Sequence, residues 1–345
     1  MGRITAEFGV DVFFQPSLSG VADAESARIE TNRDSILEMA KIVVIGSLNM
    51  DVVAVTPRIP VAGETIIGLK FFTAPGGKGA NQAYAAAKLG GKVGMLGRVG
   101  DDDFGRAMRQ NLESAGCETS GVRAIAGASG VALIFVAGSG ENSIVVVGGA
   151  NDRLAPEDIA RHAAVFDECA VALLQLETPL QTITAAARYA KERGAKVILD
   201  PAPAPGHALP QALLQAVDIL TPNETEAAIL SGLPPARLNA GEAETIGKKL
   251  RGLGPATVIM KLGEQGCLLI EQDGSTLIPS PKVTALDTTA AGDVFNAALA
   301  VGLSEKMELV EACRFAVRAA ALSVTRLGAQ SAAPARAEVN AFRAG

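Results

Sequence analysis

Tryptophan is absent and aromatic residues make up only 4% of the chain, so base stacking on a nucleic acid has little to work with. The two histidines, His162 and His207, stand apart, which leaves almost nothing for histidine-based metal or triad chemistry. Cys117, Cys169, Cys267 and Cys313 are scattered and show no CxxC spacing. That pattern predicts reduced thiols in a cytoplasmic protein rather than a disulfide framework or a zinc site. Positive charge is also short. A formal net charge of −6 argues against a broad basic surface for nucleic acid, so an anionic ligand needs local donors or a metal. No apolar run approaches the ~18 residues of a membrane span, which predicts no membrane partner.

What remains is a globular composition, 48% hydrophobic and 20% charged over 345 residues, enough for one large α/β domain or two smaller ones. Residues 1–40 differ in character. Val10 to Phe14 is apolar but interrupted by Asp11 and too short for a signal-peptide core, and Ala22 to Ala40 is mixed in charge. They are expected to form a poorly ordered N-terminal extension, with Met39 as the natural start and the domain running over 41–335. From Ile42 onward short buried runs alternate with helical stretches. Examples are Ile42 to Gly46, Lys92 to Leu96 with Phe104 to Ala115, Ala170 to Leu176 with Leu180 to Arg193, and Val217 to Leu220 with Glu224 to Ser231. This alternation predicts an α/β fold with a mostly parallel, Rossmann-like sheet and helices on both faces. Strands without intervening helices, at Asp51 to Val55, Thr65 to Phe72, Gly130 to Val136 and Asn142 to Val147, predict a small antiparallel sheet serving as a lid.

The most informative stretch is Asp287 to Asn296, between a β-rich segment (Gly266 to Val283) and the apolar helical run Val294 to Leu303. Small residues at Ala290, Ala291 and Gly292 let a ligand approach the backbone. A helix opening there offers unpaired N–H groups and a positive dipole end to an anion. Asp293 then places a carboxylate beside a site suited to a phosphoryl group, although an acidic residue in a first turn also simply stabilises the helix.

Other loops add polar groups at strand ends. Ala74 to Gln82 has the look of a P-loop, but Lys78 is followed by Gly79 and the G-x-x-x-x-G-K spacing is missing. Gly46 to Asp51 likewise lacks G-x-G-x-x-G. Asn49, Asp51, Lys78 and Asn81 instead supply donors and acceptors that suit a polyhydroxylated small molecule, or mere polar turns. Asn223 and Glu226 have the spacing of a capping box, and Glu226 can also order water around magnesium. Glu177 ends an apolar strand and points to the crevice where open α/β sheets bind ligands. The turn Lys261 to Gly266 and the loop Asp200 to Ala204 need no function.

Taken together, Gly46 to Asp51, Gly76 to Gln82, Gln175 to Glu177, Asp200 to Ala204, Thr221 to Glu226, Asp287 to Asp293 and Thr325 to Gln330 resemble the ribokinase/phosphofructokinase-B type of carbohydrate kinase over about residues 41–335. The resemblance implies ATP-dependent phosphorylation of D-ribose, with another sugar or nucleoside, or non-catalytic sugar binding, as alternatives. Asp293 would be the base, with the Ala290, Ala291 and Gly292 amides as an anion hole. Asn49, Asp51, Gly77, Lys78, Asn81 and Glu177 would hold the sugar. Asn223, Glu226, Lys261, Leu262, Gly263, Gly266 and Gly292 would serve ATP, with Mg2+ reached from Glu226 through water. Asp287, Thr289, Ser323, Arg326 and Gly328 match a loop for K+ or a similar monovalent cation. A homodimer through the lid is also implied. Two positions depart from the pattern: Ala332 where relatives often carry a hydroxyl, and Val317 where they are often polar near the adenine.

Overall fold

Buried runs only a few residues long cannot satisfy their backbone alone, and here they pair into one large sheet. The computed structural model describes residues 40–342 except Ala236. All but the last residue of the extension expected over 1–40 lie outside the described residues. The strands are β1 (Lys41–Ile45), β2 (Asn49–Thr56), β3 (Lys70–Gly76), β4 (Val93–Gly100), β5 (Glu118–Ile125), β6 (Gly130–Ala137), β7 (Asn142–Val147), β8 (Cys169–Leu174), β9 (Lys196–Leu199), β10 (Ile219–Leu220), β11 (Thr257–Lys261), β12 (Cys267–Ile270) and β13 (Ser275–Ile278). The helices are α1 (Lys78–Lys88), α2 (Asp103–Ser114), α3 (Pro156–Arg161), α4 (Leu180–Glu192), α5 (Gln211–Ala216), α6 (Glu224–Leu230), α7 (Ala240–Arg251), α8 (Ala291–Ser304), α9 (Leu309–Ser323) and α10 (Arg336–Ala341).

Nine strands pair in the order β13-β12-β11-β10-β9-β8-β1-β4-β5. Pairing is parallel from β11 to β5, and β12 and β13 add antiparallel. Strand alternation sends Ile42 and Val44 to one core and Val43 and Ile45 to the other, so both faces of β1 are covered. α1, α2, α8 and α9 pack on the first face, and α3 to α7 on the second. The chain leaves β1 for β4 on one side and returns through β8 on the other. The carboxyl ends of β1 and β8 therefore flank a topological switch point, where ligands bind in open α/β sheets.

The second sheet has the order β3-β2-β6-β7. Its outer pairs are antiparallel, as expected, while its central pair β2/β6 is parallel. The strand expected over 65–72 runs instead over Lys70–Gly76, because its register on β2 extends from Val55↔Lys70 to Asn49↔Gly76. That register delivers Gly76 to the switch point. β5 was not anticipated. Its Gly121 interrupts any β-branched run, and a Cβ there would stand 2.6 Å from the Met95 carbonyl. Among the described residues no helix is long and apolar enough to cross a membrane.

Candidate active site

Asp293 lies in the first turn of α8 and is almost fully buried. Its Oδ2 accepts from Asn81 Nδ2 (3.0 Å) and its Oδ1 from Gln82 Nε2 (2.9 Å), both on α1. Burial pushes its pKa up to about 6; Lys78 opposes the rise, Asp200 adds to it, and the two amides lower it. Asp293 is therefore ionised at neutral pH with a basicity above that of an ordinary carboxylate.

Ahead of it the backbone is bent for the purpose. Ala290, the N-cap, adopts a left-handed φ of 57°, which costs an L-residue roughly 1–2 kcal/mol. Ala291 N–H makes a long bond to Thr288 O (3.3 Å). The amides of Ala290, Gly292 and Asp293 have no acceptor among the described residues. A Cβ on Gly292 would lie 3.4 Å from Lys261 Nζ, so a cation faces this opening.

The predicted sugar residues gather at the ends of β1, β2, β8 and the start of α1. Glu177 Oε2 accepts from Ser47 Oγ (2.6 Å), Lys78 N (3.1 Å) and, at 3.5 Å, Asn49 Nδ2. Asn49 Oδ1 accepts from Asn151 Nδ2 (2.8 Å), and Asn151 also clamps both backbone groups of Leu48. Asp51 has no hydrogen-bond donor among the described residues. Burial, then Glu177 and Asp293, raise its pKa to about 7. Gly77 has φ 89° and allows α1 to approach closely, since a Cβ would stand 2.6 Å from Asn49 N.

On the other side of Asp293 is a cavity of about 560 Å³ lined by Lys78, Asp200, Asn223, Glu226, Arg237, Lys261 and the 290–293 turn, among others. Asn223 and Glu226 form the predicted capping box, with Glu226 Oε2 2.7 Å from Asn223 N. Burial raises the Glu226 pKa, with Lys261 opposing. Lys261 Nζ pairs with Asp200 Oδ1 at 2.7 Å. Burial opposes the charge of Lys78, but Asp293, Asp200, Glu177 and Glu226 outweigh it and hold its pKa above the usual lysine value. One lysine thus links the two halves of the site.

A second cavity, about 590 Å³, adjoins the first and is mostly apolar, with Val283, Phe295, Val317, Ala320 and Val324 on its wall. Gly263 lines both cavities and Gly266 the second, whereas Leu262 is buried in the core and lines neither. The loop assigned to a monovalent cation also comes together. Asp287 accepts from Thr289 N (2.9 Å), Thr289 Oγ1 (2.6 Å) and Gly328 N (2.8 Å). Ser323 is buried, and the Arg326 guanidinium turns outward to Glu338. Ala332 is buried, and Ser331 Oγ donates to Leu327 O (3.0 Å).

Residues 39–336 match the pfkB family of carbohydrate kinases. The chain belongs to that family. The ribokinase of Haemophilus influenzae is 42% identical over 301 residues, 87% of this chain and 97% of that protein. The deoxyribokinase of Salmonella typhi is 40% identical over 302 residues, 87% and 98% of the two chains. The structure of Arabidopsis thaliana ribokinase complexed with ribose and ATP superposes with a TM-score of 0.82 at 34% identity, covering 87% of this chain and 97% of that one. Within this pfkB kinase, Gln82, Gln175 and Asp200 join the site although each lies in a stretch whose neighbours, not itself, carried the sequence signal. Ser47 lies in the Gly46 to Asp51 motif without a role of its own there, and nothing local marks Asn151; their partners are distant in the chain.

Proposed function

We propose that this kinase transfers the γ-phosphoryl group of ATP to O5 of D-ribose, giving D-ribose 5-phosphate, with Asp293 as general base. The observation that carries the reading is the position of Asp293, a buried carboxylate between a polar crevice and an amide-lined cavity. Asn49, Asp51, Gly77, Lys78, Asn81 and Glu177 hold the sugar hydroxyls. Asn223, Glu226, Lys261 and the Gly263–Gly266 turn take the phosphates, and the apolar cavity takes the base. Phosphoryl transfer asks mainly for positioning and charge stabilisation, which fixed amides and lysines provide without reorganising.

The acidic lining also fits magnesium. Among the described residues no group of three potential ligands could hold a metal unaided. Mg2+ commonly rests on substrate phosphates and water with one or two carboxylates, so Glu226 and Asp200 are suitable outer partners. When bound, the ion neutralises charge on the phosphates. Asp287, Thr289, Ser323, Arg326 and Gly328 are assigned to K+ or a similar cation, supported by the bond from Gly328 N to Asp287, which lies directly before the 290–292 turn. The lid is assigned to a homodimer interface, and the four free cysteines suit the cytoplasm.

A panel of pentoses, hexoses and nucleosides with Mg–ATP tests the substrate, with D-ribose expected to give the highest kcat/KM. A preference for 2-deoxyribose or a nucleoside would replace it. Asp293→Asn should lower kcat by roughly 10²–10⁴ with the sugar still bound; a kcat within threefold of wild type would remove the base.

A further inference from the structure

Gln82 is fully buried, and its side-chain amide touches two carboxylates at once. Nε2 donates to Asp293 Oδ1 (2.9 Å) and to Asp200 Oδ2 (3.0 Å). The opposite amide orientation would turn Oε1 toward both carboxylates and is electrostatically excluded. Gln175 Nε2 donates to Gln82 Oε1 at 2.6 Å and so holds the productive orientation. Gln175 is itself fully buried, and its own Oε1 has no partner among the described residues. Its room comes from Gly46, where a Cβ would fall 1.9 Å from that oxygen. The chain of contacts therefore runs from Gly46 at the end of β1, through Gln175 at the end of β8, to Gln82 on α1.

We propose that Gln82, oriented by Gln175, is a positioning residue for the transfer: it fixes the rotamer of Asp293 and keeps that carboxylate apart from Asp200. With Asn81 on Oδ2 and Gln82 on Oδ1, the base cannot swing toward Lys78 or Lys261. The inference rests on the reading of Asp293 as the base. The charged groups acting on Asp293 are Lys78 from α1, Asp200 after β9 and Asp51 from β2; Lys261 from β11 acts through its pair with Asp200. Hydrogen bonding to the ionised form favours it, so losing the Gln82 donor makes Asp293 harder to ionise.

The test is the pH profile of kcat at saturating sugar and Mg–ATP, measured also in an Asp51→Asn background so that the acidic limb belongs to Asp293. Wild type should lose rate below about pH 6. Gln82→Leu should move that limb upward by about one unit, with both KM values within threefold. Gln82→Leu leaves two buried carboxylates unbridged and can fail to fold. Gln175→Met is the second variant, since it removes only the orienting donor. It should shift the limb in the same direction and recover most of the wild-type kcat above pH 8. An unmoved limb in folded Gln175→Met, or a kcat loss equal at every pH, overturns the proposal. Asp293→Asn separates the two readings. Wild-type rate and limb in that variant refute the base itself, whereas a limb abolished there but unmoved in Gln175→Met refutes only the positioning role.

Discussion

Asp51 shows what a single residue gives up to serve this site. Its carboxylate is half-buried beside Glu177 and Asp293, and its pKa rises from 3.8 to about 7. A group that binds its proton more tightly when folded loses stabilisation as pH climbs through that interval, here from about 4 to about 7. Asp51→Asn does not titrate there. The ligand-free variant should therefore exceed wild type by about 1–3 kcal/mol at pH 8, after discounting for partial exposure, and match it near pH 4. Urea unfolding at the two pH values reads this directly; equal gains at both would mean the carboxylate is not strained. The same substitution should raise the KM for sugar by roughly 10–100-fold, with the KM for ATP little changed. Stability surrendered for function is the common pattern at such positions.

At the scale of elements, the site depends on how closely α1 approaches the β1–β2 loop. Gly77 enables it, with a left-handed φ and no space for a Cβ beside Asn49 N. Gly77→Ala adds roughly 1–2 kcal/mol of backbone strain and pushes the N-terminus of α1 away from the loop. Far-UV circular dichroism should stay unchanged while sugar KM rises about tenfold or more; an equal rise for ATP would place the damage elsewhere. The loop before α8 is the second such element. Asp287 braces Thr289 and Gly328, joining the α8 approach to the turn after α9. A cation held among these residues, as proposed, would steady the amides at 290–292, so activity should rise with KCl at constant ionic strength, screening being then fixed. Ala332 contributes no hydroxyl, which predicts weak activation that Ala332→Ser tightens. Equal rates in potassium and in a non-binding cation would leave Asp287 as a turn cap alone.

For the whole molecule, the lid sheet leaves a broad apolar face in water. The register sets Phe71 (67% exposed), Leu133 (40%) and Val145 (55%) on one face, and every residue of β7 is exposed. A patch of this kind usually marks an interaction surface. The proposed homodimer through the lid should sediment at twice the chain mass, and Phe71→Asp combined with Val145→Lys should yield monomers. A monomeric wild type at micromolar concentration would remove the assignment. The register that pairs Gly76 with Asn49 and Ala74 with Asp51 sets one end of this sheet beside the proposed sugar site.

Short-range information determined more of this protein than its length suggests. Buried runs alternating with helices were enough for the sheet and its two covered faces, because strand and helix periods are written in a few consecutive residues. The helix start at this turn was legible for the same reason: Ala290, Ala291, Gly292 and Asp293 are contiguous, and a helix start presents its N–H groups wherever it occurs. The capping box of Asn223 and Glu226 was equally local. Tertiary structure alone decided the wiring of the site. Gln82 meets Asp200 and Asp293, Gln175 meets Gln82, and Asn151 meets Asn49 across long stretches of chain, since strand order chooses which loops become neighbours. The basicity of Asp51 and Asp293 belongs there too, because burial and the charges nearby are properties of the packed site and of no segment taken alone.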